Sequence, residues 1–166
     1  MMSESQPSAK HKLVEFKVDR VIDEPSTDTR IVVLTQVDSP SDTFPIWVGA
    51  AEGSAIKLAM DTMVTPRPMS HDLIKSFLEH LGVAVRRIVI TDVKSSTYYA
   101  TVYLENKGVE RTIDARPSDA ISLALRAPCP IYITQDVLAR RSNDNLDAWL
   151  AKMESKNLGT PEVQET

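Results

Sequence analysis

The side chains best suited to chemistry in this sequence are carboxylates at the predicted ends of strands and starts of helices, where sites often form. Carboxylate oxygens are preferred ligands of Mg²⁺ and Mn²⁺, and either ion can activate water for attack on a phosphodiester. The carboxylates that could bind such an ion are Glu52, Asp72, Asp114 and Asp119. Helix capping is the alternative for Glu52, Asp72 and Asp119, since an acid in the first turn of a helix interacts favourably with the macrodipole and bonds free amides.

Proton transfer points to a second set of residues. An unperturbed imidazole titrates near neutrality, so His71 could act as a general base or acid, although a lone histidine in a first helical turn is often only a surface residue. Asp92 and Asp114 lie late in strands and, with Asp119, complete the candidate catalytic groups. A solvent-facing position near a turn is the alternative for Asp92. His80 cannot share a metal with His71, because nine helical positions place the two side chains on opposite faces.

Phosphate binding is expected of Arg67 and Arg116. Each adjoins a proline that stiffens the backbone, and each precedes a helix N-terminus, which itself attracts phosphate. A salt bridge to a neighbouring carboxylate is the alternative for either arginine. If these groups serve one function, Arg67, His71, Asp114, Arg116 and Asp119 should gather around one concavity.

Length and composition describe one ordinary soluble domain: 166 residues, of which 42% are apolar and 25% charged. No apolar run approaches the roughly 20 residues of a membrane-spanning helix, and the polar start lacks a signal-peptide core, so a cytoplasmic protein is expected. Acidic and basic residues balance between Lys10 and Arg141, and the net charge of −4 arises at the two ends. A basic surface for nucleic acid can therefore only be a local patch.

Several enzyme classes are excluded by what the chain lacks. The 5 glycines have neither the spacing of a phosphate-binding P-loop nor that of a dinucleotide G-x-G-x-x-G, and no G-x-S-x-G elbow occurs. The single cysteine, Cys129, stands between two prolines without neighbouring thiols or imidazoles, which argues against structural zinc.

The strands that must position these residues follow from apolar alternation. The pattern from Val14 to Val18, a turn at 24–28 and the run from Arg30 to Val37 predict a hairpin. A third strand at 44–48 contains Pro45, which favours the edge of a sheet because proline cannot donate to a ladder. Runs at 83–93, 97–105 and 109–115 predict a three-stranded meander, and a short strand is predicted at 130–134.

About four helices are predicted to pack on this mixed, mostly antiparallel sheet. They cover 50–60, 70–81, a segment that begins at Pro117, and 135–141. In the second helix Ser70 is the predicted cap and Gly82 the predicted stop. Its predicted buried face consists of Leu73, Ile74, Phe77, Leu78 and Leu81. The predicted single domain spans 13–141, with a C-terminal helix at 142–155 and disordered tails at 1–12 and 156–166.

Four sequence phrases together carry a family resemblance. They are Phe44-Pro-Ile-Trp-Val-Gly49 with Glu52, Pro66-Arg-Pro-Met-Ser-His-Asp-Leu73, Val89-Ile-Thr-Asp92 and Asp114-Ala-Arg-Pro-Ser-Asp-Ala-Ile121. The last phrase is the most specific, and the match runs in order from about Leu13 to Arg141. The sequence resembles the bifunctional nuclease family.

The resemblance implies an α+β fold and a nuclease that acts on both DNA and RNA. The positions that match the family phrases are Glu52, Arg67, His71, Asp72, Asp92, Asp114, Arg116, Ser118 and Asp119. Ser118 thereby joins the two arginines as a substrate-binding candidate.

Two functions from different classes remain open. The first is a phosphodiesterase assisted by Mg²⁺ or Mn²⁺, which the grouping of the family phrases around acids and arginines favours. The second is a non-catalytic binding or regulatory domain for nucleic acid or a protein partner, which the neutral charge and the capping alternative favour. The nuclease is preferred. A homodimer is also expected, because a second copy could cover an exposed strand edge, and no membrane partner is expected.

Overall fold

The computed structural model describes residues 12–141 and Ala151. In that part of the chain seven strands form one sheet and four helices pack with it. The strands are β1 (Leu13–Glu24), β2 (Thr29–Gln36), β3 (Thr43–Gly49), β4 (Ala84–Lys94), β5 (Thr97–Asn106), β6 (Val109–Ala115) and β7 (Ile131–Thr134). The helices are α1 (Ala50–Met60), α2 (Ser70–His80), α3 (Pro117–Arg126) and α4 (Gln135–Arg140). The predicted tails and most of the predicted helix at 142–155 lie outside the described residues.

The strands lie in the order β3-β2-β1-β7-β4-β5-β6. All neighbours are antiparallel except β7 and β4, which are parallel. The mixed, mostly antiparallel sheet of a single α+β domain is therefore confirmed, with its hairpin, its meander and its four helices. The edge position predicted from Pro45 is also correct, since β3 is one edge of the sheet.

The core lies on the face of the sheet that α1 and α3 cover. Helix α1 packs on β1, β2 and β3, α3 packs on β4 and β5, and the two helices contact each other. The ring of Phe44 in β3 meets Tyr98 in β5 with centroids 5.3 Å apart, although four strands separate β3 and β5 in the sheet. The sheet therefore curls around its core. None of the helices in the described part of the chain is both long and apolar enough to cross a membrane.

The predicted buried face of α2 is wrong. Leu73, Ile74, Phe77 and Leu81 are exposed, with Phe77 at 61% and Leu81 at 67%, and only Leu78 packs against the core. Helix α2 contacts α3 at one flank, and no other described element covers its apolar side. Apolar periodicity shows which side of a helix is apolar, but it does not show whether another part of the chain packs against that side.

The start of α2 differs from the prediction, whereas its end agrees with it. The helix begins one residue earlier than expected: Met69 is the N-cap, and the Asp72 carboxylate accepts a hydrogen bond from the Met69 backbone N–H at 2.9 Å. The end is as predicted. Gly82 has φ +67°, and Val83 N–H donates to the Leu78 carbonyl at 2.8 Å, which closes a Schellman-type turn.

Candidate active site

The site forms where two strand-to-helix junctions meet. Strand β3 runs directly into α1 and strand β6 directly into α3, so Glu52 and Asp119 each lie in a first helical turn. Pro117 fixes the first turn of α3, because its ring holds φ near the helical value and its missing N–H would be unpaired there anyway. Since α1 and α3 pack together, the two carboxylates come near one another and near the start of α2.

Asp119 is the centre of the site. The His71 Nε2 atom lies 3.0 Å from Asp119 Oδ1. Arg116 donates from Nε to Asp119 Oδ2 at 2.7 Å and from Nη2 to Oδ1 at 3.2 Å. Arg116 Nη1 also donates to Glu52 Oε1 at 3.1 Å. One arginine thus links the first turns of α1 and α3, and one aspartate links α3 to α2.

Neither Glu52 nor Asp119 caps its helix. The N-caps of α1 and α3 make no side-chain capping bond, and the two carboxylates instead bind Arg116. The amide-bonding part of the capping alternative therefore does not hold for these two acids, although both lie in first helical turns, where the macrodipole favours a carboxylate. The capping alternative is correct for Asp72, which accepts a hydrogen bond from the backbone N–H of Met69. The salt-bridge alternative is the observed arrangement of Arg116.

Electrostatics keep Asp119 ionised. Burial alone raises the pKa of this carboxyl, but the hydrogen bonds from Arg116 and His71 outweigh that cost and hold the pKa below its ordinary value. The same contact, chiefly the hydrogen bond to Asp119, raises the pKa of Arg116. An ionised carboxylate can only accept hydrogen bonds, so the Nε2 atom of His71 carries a proton and donates to it.

The second ring nitrogen of His71 is then the one that can accept a proton. The His71 side chain is only 13% exposed. Nδ1 makes no hydrogen bond to another described residue, and no buried side-chain nitrogen or oxygen there lacks a partner. Nδ1 therefore reaches solvent. In the neutral ring this atom is the free base, held in orientation by the bond between Nε2 and Asp119.

A second ion pair lies beside the first and is partly buried, since the Asp72 side chain is 38% exposed. Arg126, whose side chain is 8% exposed, donates from Nε to Asp72 at 2.8 Å, from Nη2 to the Ala55 carbonyl at 3.0 Å and from Nη1 to both oxygens of Ser122. The backbone N–H of Met69, followed by Arg126, lowers the pKa of Asp72 despite the opposing effect of burial. This pair ties α2 to α3 and α1 and so fixes where His71 lies. Nothing in the sequence pointed to Arg126, because a basic residue in a last helical turn is equally typical of a solvent-facing position.

The other predicted site residues do not join this cluster. Asp92 belongs to a separate ion-pair group, with Arg140 Nη2 at 2.6 Å and Lys94 at 3.5 Å. Asp114 is exposed on the face of β6 opposite to Ile113 and Ala115, which line the cavity beside His71. The remaining two substrate candidates differ in exposure: Arg67 is exposed and makes no ion pair with a described residue, whereas Ser118 is buried.

The candidate metal ligands are likewise divided. Glu52 and Asp119 share Arg116, Asp72 binds Arg126, and Asp114 lies on the other face of β6. Within the described residues no group of three or more His, Cys, Asp or Glu side chains is arranged to hold a metal ion. These carboxylates therefore do not form a ready-made Mg²⁺ or Mn²⁺ site.

An apolar cavity of about 160 Å³ opens beside the histidine. Its walls come from α2, α3, β5 and β6, with His71 and Asp119 as its only polar side chains. The lining residues include Ile74, Leu78, Ile113 and Leu123. The sequence did not indicate this cavity, because it exists only where the uncovered face of α2 meets the edge of the sheet.

Comparison with known proteins places these features in a family. The model of the bifunctional nuclease domain matches residues 32–145. An uncharacterized protein of Mycobacterium tuberculosis is 38% identical over 96 residues, which are 58% of this chain and 57% of that protein. Bifunctional nuclease 1 of Oryza sativa subsp. japonica is 31% identical over 109 residues, 64% of this chain and 33% of that protein. Bifunctional nuclease 2 of Arabidopsis thaliana is 29% identical over 107 residues, 63% of this chain and 32% of that protein.

The matched stretch thus spans little more than half of the mycobacterial relative and about a third of the plant ones. The family model, in contrast, covers most of this chain, from within β2 to beyond α4. The resemblance read from the four phrases is therefore confirmed, and the chain belongs to the bifunctional nuclease domain family.

Proposed function

We propose that this protein hydrolyses phosphodiester bonds in DNA and RNA, with the pair formed by His71 and Asp119 as its proton-transfer group. The observation that supports the proposal is the hydrogen bond from His71 to an aspartate that Arg116 holds in place. Membership of the bifunctional nuclease domain family, and the names of its plant relatives, support the same reaction class.

In the proposed reaction His71 Nδ1 takes a proton from the attacking water as the new P–O bond forms. Asp119 holds the ring in the tautomer that leaves Nδ1 free and stabilises the imidazolium that results. The same imidazolium can return its proton to the leaving oxygen when the old P–O bond breaks. General acid–base catalysis of this kind contributes about 100- to 10,000-fold in rate.

Arg116 is the proposed phosphate ligand. A guanidinium has five N–H donors, and Arg116 uses three of them on Asp119 and Glu52. Two donors remain on a side chain that is 64% exposed, enough for one bidentate contact with a phosphate. Arg67 is the second proposed ligand, since its exposed side chain makes no ion pair with a described residue.

The charge of the cluster limits how strongly it attracts phosphate. Arg116 stands against two carboxylates, Glu52 and Asp119, so positive charge must be added for a polyanion to approach. Arg67 is one source. A divalent cation is a second and stays a prediction, because the carboxylates of the described residues do not form a complete ligand set.

The test is cleavage of labelled single-stranded DNA and RNA by the purified chain, with His71→Gln as the test variant and His80→Gln as its matched control. His80 lies on the same helix and its Nδ1 binds the carbonyl of Ser76, remote from Asp119. We expect His71→Gln to lose at least about 100-fold in kcat and His80→Gln to keep the wild-type rate. Equal rates for all three proteins would contradict the proposal.

The same assay also tests for contamination, for the need for a metal and for binding without cleavage. A contaminating nuclease would cleave equally in all preparations, so a difference in rate between the two histidine variants shows that the cleavage belongs to this protein. The same reactions in chelator test the expected need for Mg²⁺ or Mn²⁺. If wild-type protein binds the strands without cleaving them under any of these conditions, the binding-domain alternative replaces the nuclease.

A further inference from the structure

The surface formed by α2 and β6 exposes more apolar side chain than a monomer needs to. Three residues of α2, its C-cap Leu81 and two residues of β6 contribute to it, and all six are more than two-fifths exposed. They are Leu73, Ile74, Phe77, Leu81, Val109 and Ile113. We call this surface the α2–β6 face. Together these side chains present on the order of 600 Å² of apolar area, at the upper limit of what a typical monomer leaves in one patch.

Strand β6 makes the same face unusual in a second way. It is an edge of the sheet, bonded only to β5, and all of its residues but the last are exposed. The opposite edge, β3, carries Pro45, which lacks an N–H donor, whereas β6 contains no proline. An unprotected edge presents a row of free N–H and C=O groups that can pair with another strand.

We propose that a second copy of this chain docks on the α2–β6 face across a two-fold axis. When β6 pairs antiparallel with the same strand of the partner, the two sheets continue into one and the free edge groups are bonded. The axis is then perpendicular to the joined sheet, so the two α2 helices lie on the same side of it. Their apolar sides, which nothing in the described chain covers, meet each other.

The amount of surface supports a copy of the chain as the occupant. A stable interface buries about 800 Å² on each partner, with an apolar centre and a polar rim. The six apolar side chains supply most of that centre, and Arg111, on the same face of β6 as Val109 and Ile113, supplies a polar group next to it. A single contact across a two-fold axis therefore covers both the helix face and the strand edge, which lie side by side.

Docking at this face also changes the cavity beside the candidate site. Ile74 and Ile113 belong both to the α2–β6 face and to the wall of the cavity that His71 and Asp119 line. The second copy narrows the opening of that cavity on its apolar side. Arg116 does not line the cavity and stays accessible.

The experiment measures molar mass by light scattering coupled to gel filtration, over a range of micromolar concentrations. Wild-type protein is expected at about twice its chain mass of 18.4 kDa. Phe77→Lys, in the centre of the helix face, should weaken the dimer at least about 30-fold in Kd and elute as a monomer. Val109→Lys tests the strand edge in the same way, so the proposal does not depend on one variant. Glu79→Lys, which places the same new side chain on the opposite side of α2, is the control and should stay dimeric.

Unchanged circular dichroism and thermal unfolding of the monomeric variants show that they remain folded, as expected for side chains already exposed in one chain. A wild-type mass of one chain at all concentrations would overturn the proposal. So would a Phe77→Lys variant that stays dimeric, or a Glu79→Lys control that dissociates equally. None of these readouts depends on whether the chain cleaves nucleic acid.

Discussion

His71 and Asp119 are 48 residues apart in the chain, yet the imidazole Nε2 of one lies 3.0 Å from the carboxylate of the other. The contact joins the first turn of α2 to the first turn of α3 and leaves Nδ1 of the ring open to solvent. Because Arg116 holds the same carboxylate through two of its nitrogens, the orientation of the histidine depends on groups from two sequence phrases that are distant in the chain.

Asp119→Asn should reduce cleavage by about 100-fold, because an amide can donate to His71 and so permits the wrong ring tautomer. Asp92→Asn and Asp114→Asn should stay within a few-fold of wild type, since neither carboxylate contacts the cluster. The measurement is kcat/KM on one labelled strand for all four proteins. A loss in Asp114→Asn as large as that in Asp119→Asn would show that the site extends to the other face of β6.

Low pH should decrease the free energy of unfolding, because Asp72 and Asp119 become protonated. Both carboxyls have pKa values below the ordinary 3.8, Asp72 chiefly through the Met69 N–H and Asp119 through Arg116 and His71 against the cost of burial. A depressed pKa stabilises the folded state above pH 3.8, and that stabilisation is lost as pH falls through the lowered values. Urea unfolding at a series of pH values should therefore show Asp72→Asn less stable than wild type at pH 7, with the difference shrinking as the pH falls below 3.8.

Arg126→Met should destabilise the protein by about 2–4 kcal/mol, because it removes the donor to buried Ser122 and to the Ala55 carbonyl and leaves Asp72 without its cation. Arg20→Met is the matched control: Arg20 is exposed and, among the described residues, pairs only with its neighbour Asp19, so its loss should cost less than about 0.5 kcal/mol. Thermal unfolding of both variants distinguishes them. If both variants lose equally little stability, water satisfies the groups that Arg126 binds, and the prediction is wrong.

Cys129 should resist alkylation in the folded protein. Burial raises the pKa of its thiol to about 11, so only about one molecule in a thousand carries the reactive thiolate at pH 8. Mass spectrometry after iodoacetamide treatment at that pH should find the thiol largely unmodified, and modified rapidly once urea has unfolded the chain. Rapid labelling without urea would contradict the burial of this side chain.

Much of the fold could be predicted from the sequence because its signals are local. The alternation in β1, the apolar run in β2, Pro45 at an edge and Gly82 at the end of α2 each depend on neighbouring residues, and the structure has each of them where it was expected. Apolar periodicity also located α2 correctly. It failed on burial, because the partner of Phe77 is not found elsewhere in the described chain, and no local pattern records that.

The candidate site could be predicted only in part, for a related reason. The family phrases pointed to His71, Arg116 and Asp119, which the structure brings into contact. They pointed equally to Asp92 and Asp114, whose positions depend on strand register and on the face of the sheet that each occupies. Arg126 was missed because its importance arises from packing between three helices, and such contacts leave no trace in spacing.

Gly53, inside α1, and Gly49, the N-cap of that helix, give different expectations for the same change to alanine. Alanine normally stabilises a helix interior relative to glycine by about 1 kcal/mol. At Gly53, however, a new Cβ would lie 2.7 Å from Cβ and 2.6 Å from Cδ of Arg30, whose Cβ cannot move without its strand, β2. Gly53→Ala should therefore destabilise the protein by about 1–3 kcal/mol, through overpacking between α1 and the sheet.

At Gly49 the new Cβ would meet only the carboxylate of Glu52, the far end of a flexible side chain, and the backbone φ of −67° suits any residue. Gly49→Ala should cost less than about 1 kcal/mol but turn Glu52 away from Arg116. The cleavage kinetics of Gly49→Ala should then match those of Glu52→Gln. Gly53→Ala should instead differ from wild type mainly in thermal unfolding. If Gly53→Ala proves as stable as wild type, the contact between α1 and Arg30 is looser than the structure has it, and helix propensity decides the outcome at that position.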